Sequence, residues 1–254
     1  MSEKIRVGLI GYGRAGKAVA NVLGTDPRFD LRWIARRHSQ EGEQTHPETE
    51  TPIVGLDRLN YGELFDRIPV DAIVDFSRPE SIHSYGEEIR KRRIMLVSAI
   101  SAYEENDLEY ARDLGKDTRV LCSPNITLGI NFLLISSKLL RKIAPFADVE
   151  IVEQHFREKP EISGTAFKLA ETLEVDDDRV TSLRLGGIVG HHEVIFGFPY
   201  QTVRLIHDSI RREAFGTGAA FALEHLAKCD KGFITFDDLL LKLMRELVFE
   251  AGEE

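Results

Sequence analysis

The sequence predicts an α/β protein: a doubly wound parallel sheet carrying an inserted α+β domain with its own mixed or antiparallel sheet. Three observations carry this reading. A short apolar strand runs directly into Gly11-Tyr12-Gly13-Arg14-Ala15-Gly16 and on into a helical pattern. Strand and helix periodicities then alternate as far as Cys122, which implies right-handed crossovers and helices on both sheet faces. From Asp148 onward, successive strands are joined by short turns with few helices between them, as in antiparallel or mixed sheets with one packed face.

Taken in order, Ile5–Ile10 is the first apolar strand, and Ala18, Val19, Val22 and Leu23 follow the glycine loop at helical spacing. Leu31–Ala35 is a second strand. Residues Ser39 to Thr51 are polar and read as a surface loop. A weak strand at Pro52–Leu56 precedes a helix around Tyr61–Arg67. Asp71–Phe76 reads as a buried strand, Ile82–Arg92 as a charged helix and Ile94–Val97 as a further strand. Glu104–Leu114 has helical character and Arg119–Cys122 strand character. A helix from about Leu128 to Ile143 leads to the strand Asp148–His155, and a short helix covers Thr165–Glu174. The strands Thr181–Leu185, His192–Phe198 and Gln201–His207 come next, and helices Arg212–Lys228 and Phe236–Phe249 close the chain. The expected organisation is a dinucleotide-binding domain of residues 1–125 plus 212–254, interrupted by a substrate-binding and oligomerisation domain of residues 126–211.

Composition narrows the function classes. With 33 Lys and Arg against 42 Asp and Glu, the net charge is −9. That balance argues against broad attraction to nucleic acid or anionic membrane, while leaving room for a local basic site. Two cysteines, Cys122 and Cys229, make neither a disulfide framework nor a metal-ligand spacing, and no metal is expected. No signal-peptide pattern is present, and the longest apolar run, Ile126 to Ile135, is too short for a bilayer, so cytoplasm is the default expectation.

A glycine loop between a strand and a helix is the context of a Rossmann-type dinucleotide fingerprint. Gly11 permits the tight turn, Gly13 lets backbone approach a pyrophosphate, and Gly16 permits close helix–strand packing. The competing reading is a structural turn. At the end of the second strand an NAD enzyme usually places an acid, about 20 residues on, against the ribose hydroxyls. Here the chain reads Ile34-Ala-Arg36-Arg37-His-Ser39. Guanidinium groups there suit a 2′-phosphate, so NADPH is the expected cofactor and NADH the alternative. A solvated basic turn is the plainer reading.

The stretch Glu153-Gln-His155-Phe-Arg-Glu-Lys159-Pro-Glu-Ile-Ser163-Gly164-Thr165 supplies an imidazole, an ammonium four residues later, and a turn opening a helix. Such groups stabilise a bound dicarboxylate, and either His155 or Lys159 can deliver a proton as hydride arrives. Ser163, Gly164 and Thr165 offer hydroxyls and N–H groups to a carboxylate, or serve as a plain helix cap. Asp75 reads as a turn or ribose-neighbour residue, and His191 and His192 as cross-strand or interface packing.

At this point the chain resembles the dihydrodipicolinate reductase family over nearly its whole length. The similarity is carried by Val74-Asp75-Phe76-Ser77, Ser123-Pro-Asn125-Ile-Thr-Leu-Gly129-Ile-Asn131, Asp148 to His155, Ser163-Gly164-Thr165-Ala166, Leu183 to Phe196 and Lys231 to Leu240. The resemblance implies a nucleotide domain, a tetramerising mixed sheet, and hydride transfer to a cyclic conjugated imine dicarboxylate of lysine and diaminopimelate synthesis. It implies His155 and Lys159 as the catalytic pair and Gly164 and Thr165 as carboxylate binders. Cofactor contacts are implied at Phe76, Ser77, Ser98, Ala99, Ile100, Ser123 and Asn125, with Arg212 and Phe215 near the cofactor side. The chain departs from the family at Ser98-Ala-Ile-Ser101, where the family has Gly-Thr-Thr-Gly. It departs again at Phe156, where the family has a second histidine near substrate, and at Pro160-Glu-Ile162. Its glycine loop is also one residue shorter. Two further readings stay open: an imine reductase for another small carboxylate, and a catalytically silent NADP-binding regulatory protein. The retained His155 and Lys159 weigh against the second.

Overall fold

The structure, a computed structural model, describes residues 3–39, 42, 44–100 and 102–250. It divides into two compact units, Met1–Thr127 with Phe215–Glu254, and Leu128–Ala214.

The first unit holds a seven-stranded sheet of β1 (Ile5–Ile10), β2 (Phe29–Arg36), β3 (Ile53–Gly55), β4 (Ala72–Asp75), β5 (Met95–Ser98), β6 (Arg119–Cys122) and β11 (Gly232–Ile234). Their order is β11-β6-β5-β4-β1-β2-β3, and every neighbouring pair is parallel. Strands β4 and β5 are buried along their whole length, which explains apolar runs without alternation: each is covered on both faces. Gly8 has no side chain because the Trp33 ring fills its place; a Cβ there would lie 2.1 Å from the indole. Trp33 is fully buried, stacks on Phe65 and donates its indole N–H to the Ile68 carbonyl at 3.1 Å.

Helices α1 (Arg14–Thr25), α2 (Tyr61–Arg67), α3 (Ile82–Arg92) and α4 (Glu105–Leu114) alternate with these strands. Asn60 caps α2 in a reciprocal box with Glu63. Helices α7 (Glu213–Leu226) and α8 (Phe236–Glu250) follow the second unit. Gly216 of α7 lies against α1, since a Cβ there would come within 2.6 Å of Val22.

Most element ends fall within one or two residues of the sequence expectation. Three features differ. A short 3-10 turn, Pro79–Ser81, precedes α3, and β11 extends the sheet beside β6 where no strand is expected. The polar segment expected as a surface loop after Ser39 is partly tied down. Residues 40, 41 and 43 lie outside the described residues, but Thr45 bridges Pro52, and His46 and Thr51 are buried. His46 Nδ1 meets the Tyr12 hydroxyl at 2.7 Å and its Nε2 meets Asn21 Oδ1 at 2.6 Å, so long-range partners bury a segment that local polarity marks as exposed.

The second unit holds α5 (Leu128–Ile143), β7 (Asp148–His155), α6 (Gly164–Leu173), β8 (Val180–Arg184), β9 (Gly190–Phe198) and β10 (Gln201–Ser209). The sheet order is β10-β9-β7-β8, with β8 parallel to β7 and the other pairs antiparallel, so the sheet is mixed. Val149, Ile151, Val194 and Phe196 share one core with Ile130, Leu133, Leu134 and Leu169 of α5 and α6. Among the described residues no helix is long and apolar enough to cross a membrane.

One buried acid in the first unit yields a stability prediction. Asp75 closes β4 with no exposed surface. One of its oxygens accepts from the Ser77 amide at 2.8 Å and the Ser77 hydroxyl at 2.5 Å, and the other from the Tyr85 hydroxyl at 2.6 Å. Burial pushes the Asp75 carboxyl up to about 6 from an ordinary 3.8, against those hydrogen bonds. The folded chain therefore binds this proton more tightly than the unfolded chain, so the associated stability is present at low pH and lost as pH rises through about 6. Asp75→Asn should cost less at pH 7 than at pH 4.5, by about 2 kcal/mol, in urea unfolding at the two pH values. Equal cost at both would contradict the assignment.

Candidate active site

In the first unit, the segments expected to meet a dinucleotide lie at the carboxyl ends of adjacent parallel strands. The glycine loop follows β1, Phe76 and Ser77 follow β4, Ser98 ends β5 with Ala99 and Ile100 beyond it, and Ser123 and Asn125 follow β6. Strand β1 has β2 on one side and β4 on the other, so the chain reverses its winding there, and ligands of open α/β sheets occupy such crevices. The loop itself is tightly fitted. Gly11 has φ +96°, and a Cβ on it would press into the Phe76 backbone at 2.7 Å. A Cβ on Gly16 would lie 2.0 Å from the Gly11 carbonyl oxygen. Gly13 differs: a Cβ there meets nothing within 4 Å, so its bare, exposed backbone faces open space. It precedes α1 without a side-chain cap, and the first helical turn has no acid. Unused helix N–H groups beside an open glycine fit a pyrophosphate.

Side chains around the loop are not all available to a ligand. Tyr12 is buried, bonded to His46, with the Lys17 ammonium 4.8 Å and the Arg36 guanidinium 5.9 Å from its ring centroid. Ser98 is buried and its hydroxyl accepts from Tyr103 at 3.0 Å, while Ile100 is also buried. For Tyr12, Ser98 and Ile100, contact with a cofactor would therefore run through backbone. Ser101 lies outside the described residues. Ser77 is committed to Asp75, and Ser123 donates to the Asn125 carbonyl at 2.6 Å. Arg14 and Arg37 are exposed and Ala15 half-buried, at the start of α1 and just past β2. Asp57 also reaches that second turn, accepting from the Ser39 amide at 2.9 Å and hydroxyl at 2.8 Å. Sequence reading finds no acid here because Asp57 follows β3, a strand that pairs with β2 only in the fold. Phe215 packs on Phe76 with ring centroids 6.4 Å apart. Arg212 is exposed and belongs to the second unit.

In the second unit the sequence candidates gather around one carboxylate. On β7 the face carrying Val149 and Ile151 continues as Glu153 and His155. Glu153 has no exposed surface. Its Oε1 accepts from Ser182 Oγ at 2.7 Å, Arg184 Nη2 at 2.9 Å and the Ser163 amide at 3.3 Å. Its Oε2 pairs with His155 Nδ1 at 2.5 Å and accepts from Arg184 Nη1 at 3.1 Å. Burial by itself raises such a carboxyl, yet the hydrogen bonds from Arg184, Ser182, His155 and Ser163 prevail and hold Glu153 down at about 2. It is a fixed negative charge.

Register produces this cluster. Glu153 stands opposite Ser182, and His155 opposite Arg184, on parallel β8; Glu153 faces His192 on antiparallel β9. His192 is buried, its ring meets that of His155 edge-on at 5.3 Å, and its Nε2 lies 2.9 Å from Ser163 Oγ. Burial and the neighbouring His155 push His192 down to about 3, so it stays neutral. The sequence assigns it only to packing; here it also bonds the segment that opens α6. Ser163 occupies the cap position of α6 but makes no side-chain cap, and its hydroxyl faces His192 instead. Gly164 has open space where a Cβ would stand, Thr165 follows it half-buried, and Lys159 is half-buried in the 156–162 loop. Arg184 Nε donates to the Lys159 carbonyl at 3.0 Å and Nη2 to that of Glu161 at 2.6 Å, so one guanidinium holds both Glu153 and the loop bearing Lys159. Phe156 begins that loop and is partly exposed. Among the described residues no group of His, Cys, Asp or Glu has the arrangement of a metal site.

Glu153, Ser182, Arg184 and His192 are absent from the sequence-derived site. Only Glu153 leaves a signal: a carboxylate at a buried parity of an alternating strand, two residues before a histidine on the same face.

Comparison with known proteins agrees with this architecture. Residues 5–126 match the family model described as dihydrodipicolinate reductase, N-terminus, and residues 129–240 that described as dihydrodipicolinate reductase, C-terminus. A 4-hydroxy-tetrahydrodipicolinate reductase of Caldanaerobacter subterraneus subsp. tengcongensis is 29% identical over 91% of this chain and 95% of its own. One from Clostridium perfringens is 31% identical over 68% of this chain and 77% of its own. The dipicolinate-bound dihydrodipicolinate reductase from Paenisporosarcina sp. TG-14 superimposes with a TM-score of 0.77 at 22% identity, covering 92% of this chain and 98% of that one, and shares the fold. The glycine loop at the sheet's winding reversal, the two family models and the relatives spanning most of the chain agree: this nicotinamide-dependent oxidoreductase belongs to the dihydrodipicolinate reductase family.

Proposed function

We propose that the protein is an NADPH-dependent reductase of 4-hydroxy-tetrahydrodipicolinate, acting in lysine and diaminopimelate synthesis. The observation that carries this reading is the joint placement, in one unit, of an imidazole fixed by a buried carboxylate, the Lys159 loop, and a helix N-terminus at Ser163-Gly164-Thr165 where the Ser163 side chain makes no cap. A reduced nicotinamide supplies the hydride when bound. The chain's own residues hold the dicarboxylate and supply the proton. Gly164 and Thr165 offer the helix N-terminus to one carboxylate. A buried N–H without a partner is rarer than a buried unpaired lone pair, and His192 Nδ1 has no partner among the described residues. His192 therefore donates through Nε2 to Ser163, which frees the Ser163 proton for the ligand. Lys159 Nζ carries the proton that completes the reduction, with His155 as its electrostatic partner or alternate acid.

Phe156 and the Ser98–Ser101 segment favour a second reading, a related imine reductase for another small carboxylate, because the family has a histidine at the first and Gly-Thr-Thr-Gly at the second. The test is NADPH oxidation with freshly generated 4-hydroxy-tetrahydrodipicolinate against a panel of cyclic imine acids. Lys159→Ala should lower kcat by roughly 10²–10⁴ with NADPH binding little changed, and His155→Ala should act in the same direction less completely. Near-normal turnover of Lys159→Ala on its best substrate would sink the assignment. If no cyclic imine acid reacts, the silent NADP-binding reading takes its place.

Arg36 and Arg37 favour NADPH through the 2′-phosphate, whereas Asp57 at the same turn favours some use of NADH. Replacing both arginines with Ala should weaken NADPH by about 1.5–3 kcal/mol per well-formed contact and NADH by less. Equal weakening in calorimetric titrations rejects the 2′-phosphate assignment.

The sheet of the second unit also favours self-association, and family likeness suggests a homotetramer. Its face opposite α5 and α6 carries Leu183 and Ile206, 39% and 54% exposed, and a second copy would cover them. Sedimentation velocity at micromolar concentration should show an oligomer; a monomer contradicts this.

A further inference from the structure

We propose that Glu153 is a positioning residue that fixes the proton of His155 on Nδ1 and presents Nε2 to the ligand, while Arg184 uses the same ion pair to hold the Lys159 loop. The proposal deepens the reductase reading and rests on it for its kinetic consequences. Five contacts surround the two Glu153 oxygens, and four of them, from Ser182 Oγ, the Ser163 amide and both Arg184 terminal nitrogens, come from donors. An ionised carboxylate only accepts. The fifth contact, His155 Nδ1 at 2.5 Å, must then be a donor as well. That leaves Nε2 as the atom of the imidazole free to meet substrate, and the one that must take a second proton for His155 to act as electrostatic partner or alternate acid; no described residue hydrogen-bonds it. The second of two ring nitrogens is set by the partner of the first, as in other carboxylate-oriented histidines.

Gly190 on β9 completes the geometry. A Cβ there would lie 3.2 Å from His155 Nε2, so only a glycine leaves that nitrogen uncrowded on the β9 side. The backbone of β9 thus leaves open the one imidazole nitrogen that Glu153 does not occupy.

Arg184 links this imidazole to the lysine. Its fork binds both Glu153 oxygens, and its Nε and Nη2 also bind the carbonyls of Lys159 and Glu161. A purely structural ion pair would join β7 to β8 without reaching into the loop. Arg184→Lys would keep the charge but not the planar fork that serves five acceptors, the fifth being the Leu183 carbonyl.

The test uses the full chain labelled with 15N-histidine and needs no substrate for its first arm. Wild-type His155, when neutral, should show the proton on Nδ1 in its nitrogen shifts. In Glu153→Gln the ring should become a mixture of tautomers, and kcat should fall by roughly 10²-fold with NADPH affinity unchanged. Arg184→Lys should retain the His155 tautomer yet lower kcat through the displaced loop. If Glu153→Gln does not fold, Gly190→Ala replaces it: the added methyl should leave the proton on Nδ1 and reduce kcat by crowding Nε2. A wild-type His155 protonated on Nε2 overturns the proposal, as does a folded Glu153→Gln with unchanged tautomer and kcat, or a Gly190→Ala enzyme of full activity. Should the wild-type chain turn over no cyclic imine acid, the substrate reading fails, and the tautomer in wild type and Glu153→Gln still decides the role of Glu153.

Discussion

The second unit is organised around a charge with nowhere to go. Glu153 is wholly buried, and a buried carboxylate is tolerated only when its lone pairs are filled by donors. Donors arrive from three directions: Ser182 and Arg184 on β8, His155 on the same strand, and the Ser163 amide at the entry to α6. Two of these donors are themselves tied to something else. Arg184 is tied to the loop around Lys159, and Ser163 to His192 through its hydroxyl. Removing one partner of such a buried pair generally costs about 3–5 kcal/mol, because the other is left uncompensated, whereas the intact pair adds little net stability. The network is therefore better understood as a source of geometric uniqueness than of stability.

The first unit is organised by close backbone approach. Gly16 lets α1 begin against the Gly11 carbonyl, and Gly11 lets the same turn pass over the Phe76 backbone. These contacts bring the carboxyl ends of β1 and β4 together, and Asp75 secures the β4 side through Ser77 and Tyr85. Of the glycines in this loop, only Gly13 faces open space. Of three glycines in one motif, two serve packing and one leaves room for a ligand. That division of labour is invisible in the spacing.

Electrostatics follows the same contrast between global and local. The chain carries a net charge of −9, yet Arg36 and Arg37 stand at the end of β2, and Arg184 holds the loop of the second unit. An anionic ligand is drawn by the local arrangement and not by the overall balance. Cys122 illustrates the opposite case: burial pushes its thiol up to about 12, which leaves it an inert apolar residue closing β6.

By itself the sequence determined the period and order of the elements apart from β11 and the short 3-10 turns, and therefore both sheet types. Apolar runs such as Ala72–Asp75 mark strands covered on both faces, and the alternation of Asp148–His155 marks one covered on a single face. It also determined the glycine loop and the His155-to-Thr165 stretch, because both depend on residues close in the chain. Tertiary structure decided which side chains act together. Parallel pairing placed Arg184 opposite His155, antiparallel pairing placed His192 opposite Glu153, and neither register can be read from one strand alone. Folding likewise buried the polar His46 against Tyr12 and brought Asp57 to the turn after Arg36 and Arg37. In each case the deciding term is a hydrogen bond between residues far apart in sequence. Local propensity cannot encode such a bond, because its donor and acceptor meet only after the sheet has set their positions.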